Sequence, residues 1–211
     1  MTSRPARALI ALALASAALA RSATAQDPRI GTRLDAPSRA AIFALVDSAR
    51  AQGIPVEPLM EKVYEGMGKG ADGPRIVAAV RSLTQEMGRA HLALGTVAST
   101  DEIKAAASAM HAGVPAVELG KMKKQSGLRR SLTLPFTVLT DLVSRGVPVS
   151  TAANAIRNLV GAGARDADIT GFQRNVKVDI DQGAQPAAAA ETRARGVVPS
   201  ARPDSTRTDP N

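Results

Sequence analysis

Gly53-Ile54-Pro55, Gly113-Val114-Pro115 and Gly146-Val147-Pro148 decide how this chain reads. Glycine accepts the left-handed backbone that ends a helix, and proline cannot continue one, so each stretch closes one helix and opens the next. Aligned at the proline, the segments that follow agree without gaps. Ile76, Phe136 and Ile169 lie twenty-one residues on, Ala79, Leu139 and Phe172 twenty-four on, and Leu83, Val143 and Val176 twenty-eight on. A shared three- and four-residue rhythm is the mark of a two-helix unit that needs its neighbours to bury an apolar stripe. The expected fold is all-α: about eight short amphipathic helices, stacked as a short solenoid or folded as an irregular bundle.

Working outward, the flanking segments supply the individual helices. Ile42, Leu45, Val46 and Ala49 share a face before Gly53, with Asp35 as N-cap and Pro37 in the first turn. Val56, Leu59, Met60, Val63 and Met67 form the second stripe. A glycine-rich turn (Gly66, Gly68, Gly70, Gly73) leads to a third helix capped by Asp72, whose stripe runs from Ile76 to Leu94 before Gly95. Ser99-Thr100-Asp101-Glu102 reads as a capping box, opening a helix that carries Ile103, Ala106 and Met110. A fifth helix is expected over 115–125, and Thr133 and Asp166 as caps of the sixth and eighth. Val149, Ala153, Ile156 and Leu159 make the seventh stripe, and Ile169, Phe172, Val176 and Ile180 the eighth.

Composition agrees with helix. Of 211 residues, 45% are hydrophobic, yet there is no Trp, one Tyr and three Phe, so small aliphatic side chains must do the packing. Alanine loses no rotamer entropy in a helix, whereas strands draw on β-branched and aromatic residues. The absence of cysteine excludes structural disulfides, thiol nucleophiles and thiolate metal sites.

The two ends read differently from the middle. Residues 1–25 have the layout of a secretory signal: Arg4 and Arg7, an apolar run of thirteen from Ala8 to Ala20, then Ala23-Thr24-Ala25 as cleavage site, with Ala18-Leu19-Ala20 as the alternative. The run is too short to span about 30 Å of bilayer hydrocarbon. Removing residues 1–25 takes three arginines and no acids, lowering the formal charge from +8 to +5. Residues 26–34 read as a flexible lead-in, 35–183 as the helical domain, and 184–211, rich in Ala, Pro and Arg, as a disordered tail. The expected location is the bacterial periplasm or the extracellular space.

Chemistry is sparse. Gly68-Lys69-Gly70-Ala71-Asp72-Gly73 fits G-x-G-x-x-G, but an amphipathic helix precedes it where a dinucleotide site needs a buried strand, so it reads as a helix–helix turn. His91 and His111 have no carboxylate at a metal-ligand spacing, and Asp179-Ile180-Asp181 lacks the oxygens that would complete a calcium loop. No nucleophile motif occurs, and no cofactor or metal is implied. An enzyme would need a site built from Glu86, His91, Glu102 or His111. The densest polar feature is Lys121, Lys123, Lys124, Arg129 and Arg130: five cations in ten residues without an acid. Such a run can gather an anionic partner, or it can be a solvated helix end that complements the dipole. Nucleic acid is disfavoured because aromatics for base stacking are missing. The sequence therefore points to an exported, non-enzymatic interaction or scaffold protein. The alternative is an envelope protein holding anionic lipid or cell-wall polymer through 121–130.

Overall fold

The computed structural model describes residues 33–127 and 130–197, and every regular element among them is a helix. In chain order they are α1 (Ala36–Ala51), α2 (Glu57–Gly68), α3 (Gly73–Leu94), α4 (Thr100–His111), α5 (Ala116–Ser126), α6 (Thr133–Ser144), α7 (Val149–Gly161), α8 (Asp166–Asp181) and α9 (Pro186–Gly196).

The expected corners form, and their geometry explains the motif. At the first, Gly53 has φ 70°. Its N–H donates to Arg50 O at 3.1 Å, and that of Ile54 to Ala49 O at 2.9 Å. This pair of bonds is the Schellman arrangement, which satisfies carbonyls the helix end would otherwise leave orphaned. Gly113-Val114 and Gly146-Val147 repeat it bond for bond. The middle residue of each corner points inward, Ile54 being 4%, Val114 2% and Val147 2% exposed. Three further corners, Gly70-Ala71, Gly163-Ala164 and Gly183-Ala184, make the same bonds with alanine in the middle place. In the sequence these lack both the bulky residue and the proline of the third place, which is taken by Asp72, Arg165 and Gln185.

The major helix interfaces all join a helix to its next or next-but-one neighbour. α1, α3, α5, α7 and α9 stack successively as one layer, and α4, α6 and α8 as the other. α3 joins α2 and α4, α6 joins α7, and α8 joins α9 across the layers. This is the quasi-one-dimensional packing of a solenoid, in which each unit leans only on its neighbours. Phe136, Phe172, Ile42, Leu59, Ile76 and Met87 are among the largest fully buried side chains. Ile76, Phe136 and Ile169 are all buried as the alignment requires, but Ile76 faces the core from one layer and the other two from the opposite layer. The stripe spacing suits either layer because both face the same core.

Several details differ from the sequence reading. Gly66 and Gly68 belong to α2 and are not turn residues. At Gly66 a Cβ would come within 2.7 Å of Ile76 Cγ1, so the missing side chain lets α2 and α3 close together. The N-cap position of α6 falls on Leu132 and not Thr133, without a side-chain cap bond, and the Leu132 N–H donates to Glu102 from outside the helix. α8 starts at Asp166, with Arg165 as N-cap. The Asp168 carboxylate accepts the Arg165 N–H at 2.8 Å and does the capping.

The largest correction is at the C-terminal end. Residues 186–196 of the expected disordered tail form α9, which packs on α7 and α8 with Ala189 and Ala190 at 4% and 0% exposed. Alanines bury little area each, but they let the helix approach closely, and Arg193 ties it to Asp179 on α8 with two bonds of 2.6 Å. Residues 198–211, like the proposed signal at 1–25 and most of the lead-in, lie outside the described residues. Among the described residues no helix is long and apolar enough to cross a membrane.

Candidate interaction face

The described cations of 121–130, Lys121, Lys123, Lys124 and Arg130, are put to different uses. Lys123 turns inward: its ammonium lies 2.8 and 2.9 Å from the two Glu102 oxygens, with 10% of its side chain exposed. Glu102, 3% exposed, also accepts the Ser99 N–H at 3.0 Å and the Leu132 N–H at 2.9 Å. Burial works to raise its carboxyl pKa, but the Lys123 bond, followed by the Leu132 and Ser99 N–H groups, outweighs it and holds the group below the ordinary glutamate value. One carboxylate thus completes the α4 capping box and fixes the start of α6.

Lys121 is exposed and pairs with Glu118 at 2.7 Å, while Glu118 also takes Arg157 of α7 at 2.6 Å. Arg130 stands 3.7 Å from Asp166 at the start of α8. Lys124 is exposed and has no ion pair among the described residues. Arg129 lies outside them.

Glu86, His91, Glu102 and His111 do not converge either. His111 Nδ1 lies 3.0 Å from Glu86 Oε1, across α3 and α4. Glu102 is at the opposite end of α4 from His111, about 13 Å away along a helix of 1.5 Å rise. His91 lies in a groove beside Gly53, its Nδ1 buried without a hydrogen-bond partner among the described residues. No group of three or more potential metal-ligating His, Asp or Glu occurs among those residues. Asp179 and Asp181 are engaged by Arg193 and Lys177.

What the structure brings together instead is a face on the layer of α1, α3 and α5. A groove of about 840 Å³ separates α1 from α3, with Leu45 and Ile54 as apolar lining, Ser48, Gln52, Thr84 and Gln85 as hydrogen-bonding groups, and Arg81 and Arg89 as charges. A second, of about 560 Å³, lies between α3 and α5 and is lined by Arg89, Leu92, Val117, Lys121 and Lys124. Leu92, 83% exposed, borders both, and Val117 is 61% exposed. The two grooves together carry four permanent cations and no acid. The sequence did hold a signal for this: Arg81, Gln85, Gly88 and Leu92 are spaced as one line along a helix, beside the buried line Val80, Met87 and Leu94.

The opposite layer has a groove of about 370 Å³ between α2 and α4, and its charges cancel locally. Lys104 meets Glu61 at 3.2 Å, and Lys62 and Lys69 converge on Glu65. Those two lysines hold the exposed Glu65 carboxyl down to about 2. Compared with protein-family models, with curated proteins and with solved structures, the chain matches none.

Proposed function

We propose that this protein is an exported, non-enzymatic helical solenoid that works by presenting a surface to another macromolecule, and that the working surface is the α1–α3–α5 face. The observation that carries the reading is the pair of exposed aliphatic side chains, Leu92 and Val117, set beside Arg89 and Lys124, two cations with no ion pair among the described residues. Leu92, 83% exposed, and Val117 line the same groove, so they form a patch and not one scattered apolar side chain. The signal-like residues 1–25 support export, and their removal gives a chain beginning at Gln26. The basic-loop alternative is weakened by the inward use of Lys123, which leaves Lys121 and Lys124 as the exposed lysines of the run.

A photo-reactive amino acid at position 92, introduced in the cells that produce the protein, tests the surface. The expected result is an adduct of discrete mass from position 92 and none from position 61 on the opposite layer. Equal adducts from both positions, or none from position 92, would overturn the assignment. Mass spectrometry of the exported form tests processing, with Gln26 as the expected first residue.

A further inference from the structure

We infer that the α1–α3–α5 face takes an acidic polypeptide segment bearing an aliphatic side chain, lying across the three helices. This rests on the surface reading above and adds the chemistry of the occupant. The first ground is charge. Arg81, Arg89 and Lys124 have no ion pair among the described residues, and Lys121 shares one glutamate with Arg157. Four cations around two grooves without an acid create a positive potential that selects carboxylates. The α2–α4 groove shows the contrast, since each of its charges has an opposite partner within 3.2 Å.

The second ground is shape. Stacked helices sit about 8–10 Å apart, so α1 to α5 spans about 16–20 Å, the reach of about five or six extended residues. The exposed Leu92 divides that path into two grooves, each able to receive a side chain. Ser48, Gln52, Thr84 and Gln85 offer donors and acceptors to a peptide backbone.

A lipid surface fits less well, because those polar side chains would meet hydrocarbon and no aromatic side chain lines either groove to sit at the headgroups. The chain's own ends do not fit either. Residues 198–211 balance Arg202 and Arg207 against Asp204 and Asp209, and residues 1–32 are net positive.

Fluorescence anisotropy with the purified protein tests the occupant. The probes are labelled decapeptides alternating Glu with Leu, Glu with Ser, and Lys with Leu, together with vesicles of anionic phospholipid. The Glu–Leu peptide should bind and the Lys–Leu peptide should not. The Glu–Ser peptide, Leu92→Asp and the pair Arg81→Glu/Arg89→Glu should each weaken binding by about tenfold or more. Lys104→Glu on the other layer should leave it unchanged. All substituted side chains are solvent-exposed or half-buried, and circular dichroism verifies the fold; Lys124→Glu provides an independent reversal on α5. Failure of the Glu–Leu peptide, equal binding of the Lys–Leu peptide, or indifference to the reversals would overturn the inference. So would vesicle binding that the reversals abolish and the peptide does not displace. If the position-92 adduct forms while the Glu–Leu peptide fails, the occupant is wrong and the surface reading stands. If the adduct also fails, both fall.

Discussion

The two layers of the solenoid spend their charge differently. On the α2–α4 side, Glu61, Lys62, Glu65 and Lys104 neutralise one another across and along the helices. On the α1–α3–α5 side, Arg81, Arg89 and Lys124 stand in water beside Leu92. The same contrast is compressed into two adjacent residues, for Lys123 is absorbed into the fold by Glu102 while Lys124 is left on the surface. A run of like charge in a sequence is therefore not yet a binding site. Helical periodicity sends adjacent residues about 100° apart, so one cation can hold the core together while its neighbour faces a partner.

That contrast can be broken most directly at the lysine pair. Lys123→Met strands the Glu102 carboxylate in a buried site and should cost about 3 kcal/mol or more in urea unfolding, whereas Lys124→Met should stay within about 0.5 kcal/mol. Equal costs would mean that Lys123 is as solvated as its neighbour. The pH dependence sharpens the same point. Glu102 is held below its ordinary value when folded, so its contribution is complete above the ordinary glutamate range and is lost as the pH falls through the folded value. Thermal unfolding should therefore show stability declining on acidification, with Glu102→Gln starting lower and declining less between about pH 5 and 3.

Smaller effects test how far the neighbour-by-neighbour stack extends. Ala190 is fully buried where α9 meets the stack, and Ala190→Leu should overpack it by about 1–3 kcal/mol in denaturant unfolding. No loss would place α9 outside the cooperative unit. Gly113→Ala, at φ 97°, should cost about 1–2 kcal/mol by the same measurement. Gly171→Ala, inside α8 and facing open space, should instead stabilise by up to about 1 kcal/mol. Smallest of all, Glu61→Gln on the balanced layer should change stability by a few tenths of a kcal/mol, since its pair with Lys104 is exposed.

The candidate face was far less legible than the fold. Arg81, Gln85 and Leu92 share a line on α3, but nothing in the chain marks Ser48 or Lys124 as their neighbours. Those residues belong to α1 and α5, and only the stacking of alternate helices brings them beside α3. Glu102 shows the same division within one residue. Its capping box with Ser99 was readable because the partners are three residues apart, while its bonds to Lys123 and Leu132, 21 and 30 residues away, were not.

By itself the sequence determined the helices, their stripes and the three proline corners, because each depends on groups within a few residues along the chain: a glycine able to take positive φ, an apolar spacing, a cap. Only the tertiary structure decided that the helices stack in two layers, that alanines 189 and 190 are enough to dock a ninth helix, and which cations are consumed by the fold. Those outcomes depend on how closely separate helices approach and on which charges burial forces into pairs, and neither distance is written in local spacing.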